Sequence, residues 1–139
     1  MYHIVILVDN HNLGQQLAEW TKCFCNEQDL YPVVELFMNT ELFHKSMKKA
    51  KPDGVIVALH GVAGLNASEY LRSLCPKCGL IWCSDLDFSL QAYRLRADYF
   101  FKAPPTNAEL CEGLSMCIKR RYLQRKENTM MCKKGGTKS

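Results

Sequence analysis

Long apolar runs are missing from this sequence: stretches such as Ile4 to Val8 and Val55 to Leu59 fall far short of the roughly 18 residues a membrane span requires. Met1-Tyr2-His3 carries no basic segment of the kind that opens a secretion signal, so a cytoplasmic protein with no membrane partner is expected. A glycine-rich phosphate loop is missing as well. Where one would follow the first apolar run stands Asp9-Asn10-His11-Asn12-Leu13, which presents a carboxylate to any anion. That counts against a nucleotide-binding enzyme. No internal repeat or low-complexity tract precedes the C-terminal tail.

Cysteine is plentiful, with eight residues, but the spacing that would organise them is not. Cys75-Pro-Lys-Cys78 has a C-x-x-C interval, yet a structural zinc site needs four ligands and no second pair stands at matching spacing. Thioredoxin-like chemistry needs its first cysteine at a helix N-terminus, whereas this pair follows a helical pattern and precedes a strand. Without a secretion signal the cysteines are expected to be reduced, buried thiols. The sequence leaves open whether Cys75 and Cys78 hold a metal.

What is present is an ordinary globular composition, 47% hydrophobic and 23% charged over 139 residues, enough for one domain. The net charge of +4 is unevenly placed. Residues 119–139 hold eight Lys or Arg against one acid, Glu127, which leaves ten bases and thirteen acids in the body. The positive sign therefore belongs to the tail and says nothing about nucleic-acid binding by the body.

Short runs rich in Val, Ile and Phe alternate with longer segments of helical period, a rhythm that implies a parallel sheet covered by helices on both faces. Strands are expected at His3–Val8, Val33–Phe37, Gly54–Leu59, Leu80–Cys83 and Tyr99–Phe101. Leu13, Leu17, Trp20 and Phe24 give the first helix one apolar stripe, and Leu42, Phe43, Met47 and Ala50 do the same for the second, with Thr40 as its N-cap. Further helices are expected at about 66–74, 87–95 and 107–121, the last capped by Asn107 and blocked from an earlier start by Pro104-Pro105. Such a doubly wound sheet binds ligands beyond the carboxyl ends of its strands, so function is sought just after Val8, Leu59, Cys83 and Phe101.

At those ends the sequence resembles the receiver domain of bacterial response regulators, over about residues 3–123. Val5-Ile6-Leu7-Val8-Asp9-Asn10 is similar to the family's first strand and acidic pair, and Pro52-Asp53-Gly54-Val55-Ile56-Val57-Ala58 to the strand that ends in its phosphoacceptor. Ile81-Trp82-Cys83-Ser84 is similar to the strand ending in a hydroxyl, and Ala97-Asp98-Tyr99-Phe100-Phe101-Lys102 to the strand ending in a lysine. The resemblance implies a flavodoxin-like (βα)5 fold, an α/β doubly wound parallel sheet of order 2-1-3-4-5. It implies a pocket of Asp9, Asn10, Ala58, Ser84 and Lys102, with Tyr99, Tyr93, Arg94 and Arg96 at a switch and contact surface.

Two parts of the family's phosphoryl-transfer chemistry depart from pattern. Asn10 is neutral where a second acid is usual, and Ala58 stands at the nucleophile's position, where a methyl group accepts no phosphate. Asp9 is then a remnant of a magnesium site, no cofactor is expected, and magnesium would bind weakly at best. With no phosphate to hold, Lys102 is expected to pair with Asp9. Asp53 is excluded as a substitute acid because it opens its strand at the opposite edge of the sheet; Asp85 and His60 are close enough in sequence to lend the pocket polar contacts, but are expected to face water as loop residues. Gly61 and Gly64 offer flexible points after Ala58. Lys102 is followed by Ala103 before Pro104, which puts the family's cis peptide after the lysine in question.

The resemblance thus implies a non-enzymatic pseudo-receiver that acts in signal transduction and transcription regulation by protein contact. Its partners would be a second copy or another protein, met through the fourth helix, fifth strand and fifth helix. Residues 129–138 resemble the opening strand and glycine turn of a LytTR-type DNA-binding domain, so 1–123 would be the receiver and 124–139 a basic linker with that domain's truncated start. DNA would then be met only through the missing domain. The alternatives are a disordered basic tail, and a stand-alone flavodoxin-like adaptor or small-ligand-binding protein.

Overall fold

The computed structural model describes the backbone of residues 2–138 and the side chains of residues 2–123. Strands and helices alternate in the order β1 (His3–Val8), α1 (His11–Glu27), β2 (Val33–Phe37), α2 (Thr40–Lys49), β3 (Gly54–Ala58), α3 (Val62–Leu74), β4 (Gly79–Ser84), α4 (Ser89–Arg94), β5 (Tyr99–Lys102) and α5 (Asn107–Lys138). All strand pairs are parallel and the sheet order is β2-β1-β3-β4-β5, the expected doubly wound α/β topology.

Strand residues alternate between two cores because successive side chains point to opposite faces. Val5, Leu7, Val55, Val57, Leu80 and Trp82 meet Phe43, Met47 and Leu71 on the face covered by α2 and α3. Ile4, Ile6, Val8, Ile56 and Ile81 meet Leu17, Leu110 and Leu114 on the face covered by α1 and α5. Both faces being apolar is what makes these runs continuous in the sequence. Each fully buried aliphatic side chain contributes about 1.5–3 kcal/mol relative to exposure.

Helix ends are set by local chemistry, and several lie away from their expected places. The Asn10 side chain accepts from the Leu13 amide at 3.0 Å and so starts α1. Asn39, not Thr40, caps α2, its Oδ1 accepting from Glu41 and Leu42 amides at 2.8 and 3.2 Å. Leu42 and Ala50 are exposed, so only Phe43 and Met47 of the expected stripe reach the core. In α5 the capping residue is Thr106, not Asn107: its Oγ1 accepts from the Glu109 amide at 3.2 Å and donates to the Glu109 carboxylate at 3.0 Å. Helical backbone continues to Lys138, where the sequence suggested a linker from 124 and an opening strand from 129; no proline or glycine interrupts residues 114–134. The side chains of the tail, on which the domain boundary turns, lie outside the described residues. No helix among the described residues is long and apolar enough to cross a membrane.

α3 begins at Val62, four residues before its expected start, after Gly61 turns the chain at φ 60°. Gly64 lies inside that helix and is no hinge. A Cβ there would stand 2.9 Å from Trp82 Nε1 and 3.3 Å from the Leu59 carbonyl oxygen, so the glycine allows close approach of helix and sheet. α4 is shorter than expected because Asp87 holds the Ser89 amide at 3.1 Å in a turn ahead of it, and Arg96, at φ 55°, turns the chain after it.

The amino-terminal edge of the sheet is fastened by charge. Asp53 accepts from the His3 amide at 2.8 Å and pairs with Arg121 at 2.9 Å. Asp98, its side chain 5% exposed, accepts from the Leu80 amide at 2.8 Å and from Arg120 Nη2 at 3.1 Å. Cys75 and Cys78, at the start of this edge's α3–β4 connection, are joined as a disulfide, with Cα atoms 5.6 Å apart. That corrects the expectation of reduced thiols for this pair: the turn between helix and strand brings the two within bonding reach.

Candidate functional site at the carboxyl edge of the sheet

In the parallel register Val8 lies beside Ala58, Ala58 beside Cys83, and Ser84 beside Lys102, so the four strand ends converge as the sequence implied. Ala58 and Ser84 are buried there. They line a cavity of about 40 Å³ walled by Leu13, Leu59, Cys83, Ala103 and Pro105, with His60 and Asp85 at its polar rim. Room for about one water molecule is what such a volume provides. Ser84 Oγ accepts from the Leu86 amide at 3.1 Å and lies 3.4 Å from Asp85 Oδ1, so the hydroxyl serves the loop after β4.

The partner of Asp9 is His60, which corrects the expected pairing with Lys102. Asp9 Oδ2 accepts from the His60 amide at 2.9 Å and meets His60 Nδ1 at 2.7 Å. The reason is topological. β3 is the immediate neighbour of β1, whereas β5 lies three strands away, about 14 Å at the usual spacing. Asp85 likewise does more than face water, since its Oδ1 accepts from the Gly61 amide at 2.8 Å and ties the β4–α4 loop to the β3–α3 loop. The sequence signal for both contacts was weak: a histidine and a glycine directly after the third strand.

Burial works to raise the Asp9 carboxyl, but the His60 amide and ring outweigh it and hold Asp9 below the ordinary range. His60 is correspondingly raised, first by its hydrogen bond to Asp9 and then by that carboxylate's charge. The ionised pair therefore forms above the Asp9 value and below the His60 value. The His60 contribution is complete below about pH 6.5 and is lost as pH rises through the raised value; the Asp9 contribution is lost only in stronger acid. In an NMR titration, His60 is expected to titrate above the ordinary histidine value, and Asp9→Asn to bring it down; an unchanged midpoint in the variant would dissolve the pair. Cys83 is no nucleophile here, because burial, with smaller effects of Glu109 and Asp85, pushes its thiol up to about 12.

The remaining sequence-identified residues lie around the rim. Asn10 spends its side chain on capping α1, and Lys102 is exposed and lines no part of the cavity. The cis peptide is Ala103–Pro104, one residue later than the family pattern. Tyr99 turns its hydroxyl to Glu112 of α5, donating at 3.0 Å, while Tyr93, 82% exposed, stands on α4 with exposed Arg94 and Arg96 close by. Among the described residues, no group of three or more His, Cys, Asp or Glu side chains is placed to hold a metal ion.

No protein-family model matches the chain, and no curated protein matches it in sequence. Solved structures do match. A response regulator receiver domain protein from Clostridium thermocellum is 16% identical with a TM-score of 0.73, over 89% of this chain and 99% of that one. The BeF3-activated DrrB receiver domain is 18% identical with a TM-score of 0.66, over 86% and 98%. An orphan response regulator of H. pylori is 15% identical with a TM-score of 0.66, over 84% and 95%. By topology and by these likenesses, the chain has the flavodoxin-like fold of receiver domains.

Proposed function

We propose that this chain is a receiver-fold signalling module, not an enzyme, that works by protein contact and without an aspartyl phosphate. The observation that carries the reading is Ala58, a buried methyl group at the end of β3, flanked in register by Val8 and Cys83. The donor set does not fit magnesium either. That ion wants several oxygen ligands, but Asp9 is engaged by His60, Asn10 caps a helix and Ala58 offers none. Binding of a small organic ligand in this cavity is disfavoured by volume, since about 40 Å³ is far below the roughly 300–1,000 Å³ of such sites.

Incubation with acetyl phosphate and Mg²⁺ is expected to leave the protein unmodified by mass spectrometry, and Ala58→Asp to give only poor labelling. Adding Asn10→Asp, which preserves the cap because aspartate also caps helices, is expected to raise that labelling. An acid-stable, base-labile adduct on a carboxylate of the unsubstituted protein would overturn the reading, and equal labelling of the single and double variants would remove Asn10 from it.

The contact surface in this reading is α4, β5 and α5, with a second copy of the chain as the first partner to test. Leu90 and Tyr93 are exposed there, at 57% and 82%, beside exposed Arg94 and Arg96 and the acids Asp85 and Asp87. Apolar anchors ringed by both charge signs suit a two-fold contact. Sedimentation is expected to show a weak dimer that loosens as salt rises. A strict monomer at low salt, unchanged by Arg94→Glu or Arg96→Glu, would leave a different protein as the partner. Regulation of transcription in this reading needs a further LytTR-type domain, and any DNA contact is made by that domain and not by residues 2–123.

A further inference from the structure

We infer that Cys75 and Cys78 form a reversible thiol–disulfide site whose state is transmitted to the α4–β5 turn by Arg72. Arg72 is a helical residue 9% exposed, and no carboxylate pairs with its guanidinium among the described residues. It donates instead to carbonyl oxygens of two separate loops. On the disulfide side Nη1 reaches Cys78 at 2.6 Å, Cys75 at 3.3 Å and Pro76 at 3.4 Å. On the other side Nε reaches Leu95 at 2.5 Å and Nη2 reaches Arg96 at 3.0 Å. One planar fork therefore sets the four-residue disulfide loop against the end of α4.

The fork demands fixed acceptors on both sides, since its donors are coplanar and cannot follow two loops independently. The disulfide fixes one set by closing the loop. The other set belongs to a turn that depends on few bonds of its own: Leu95 to Gln91 at 2.8 Å, Arg96 to Tyr93 at 3.1 Å, and Ala97 to Ala92 at 2.9 Å. Arg120 adds a second clasp, its Nη2 donating to the Cys78 carbonyl at 3.0 Å and to Asp98 at 3.1 Å. Freeing residues 75–78 removes the constraint on the acceptors that Arg72 shares with residues 95 and 96.

Reduction needs an external thiol donor, such as a glutathione-class thiol or a small dithiol. Its thiolate attacks one sulfur of the pair, forming a mixed disulfide and expelling the other sulfur as a thiolate that takes up a proton. A second donor thiolate resolves the mixed disulfide, so the pair gains two electrons and two protons while the donor becomes a disulfide. Cys78 Sγ lies 3.0 Å from the Pro52 carbonyl oxygen, which gives the newly formed S–H an acceptor without rearrangement. The cysteines themselves are nearly buried, Cys75 at 8% and Cys78 at 3% exposure, so attack follows local opening of the exposed Pro76-Lys77 loop and falls first on Cys75.

The significance of this coupling rests on the proposed use of α4 and β5 as a contact surface, but the coupling itself is read without any partner. Hydrogen exchange of the full chain, oxidised and then treated with a dithiol, is the test, with alkylation of the denatured protein counting the two thiols gained. Peptides over 92–98 are expected to exchange about three- to tenfold faster after reduction, while β1 and β3 amides stay protected. A Cys75→Ser, Cys78→Ser double variant is expected to match the reduced form whatever the redox buffer. Arg72→Lys keeps the charge but loses the fork, so its 92–98 region is expected to exchange fast in both states. Equal exchange at 92–98 in the two states would overturn the inference, as would failure of the pair to form under oxidant or loss of protection in β1 and β3 together with 92–98.

Discussion

Asp98→Ala is expected to lower stability by about 3 kcal/mol, the lower end of the range for removing one partner of a buried ion pair. The carboxylate is 5% exposed and serves several groups at once. It holds the Leu80 amide at 2.8 Å where β4 begins and Arg120 Nη2 at 3.1 Å, and it accepts from Cys117 Sγ at 3.4 Å. Without it the Leu80 amide loses its acceptor inside the fold. Arg120, a third exposed, swings toward water, which is why the lower end applies. Burial first, and then Asp98 itself, hold the Cys117 thiol well above its ordinary range, so the same variant is expected to make Cys117 easier to ionise. Urea denaturation measures the loss. A change below about 1 kcal/mol would mean that the pair behaves like a surface ion pair and that the edge is not fastened there.

Trp82→Ala is expected to cost about 3–5 kcal/mol, a large fraction of the roughly 5–15 kcal/mol by which a domain is stable. Trp82 is fully buried, stacked on Phe88 at a centroid distance of 5.2 Å and edge-on to Phe100 at 5.3 Å. It fills the space between the sheet, α3 and the start of α4, where Gly64 leaves room for the indole. Its Nε1 has no hydrogen-bond partner among the described residues. Trp82→Phe is therefore expected to lose much less, because the smaller ring keeps most contacts and deletes an unsatisfied donor. Thermal melts of the two variants separate the contributions. Equal destabilisation would show that indole volume decides the outcome and that the orphaned donor costs nothing.

The strands were legible because they are buried on both faces. Val33–Phe37 and His3–Val8 were expected at their observed limits, and the other three shifted by a residue or so at their ends. Topology alone pointed to the strand ends after Val8, Leu59, Cys83 and Phe101, and the resemblance to receiver domains singled out Ala58 and Ser84 there. Helix ends were harder, since Asn39 and Thr40 are adjacent residues that can both cap, as are Thr106 and Asn107, and only backbone direction selects between them. Long-range polar choices were not legible at all. Nothing in the sequence says that His60, rather than Lys102, takes Asp9, or that Arg72 turns inward among apolar neighbours to bind carbonyl groups. The C-x-x-C interval was plain to see, but its bonded state depends on how α3 meets β4 in space.

Asp53, Asp98 and their arginines all gather at the edge where the strands begin, away from the loops after β1, β3 and β4. The polar fastening of the fold is thus separated from the rim of the carboxyl edge by the length of the sheet. For protein engineering this makes the chain a scaffold with a spare face. Short peptide epitopes inserted between Leu86 and Asp87, both exposed, would extend the loop ahead of α4 while Phe88 stays stacked on Trp82 and both carboxylate anchors are untouched. The fold's durability and its display surface can then be altered one at a time.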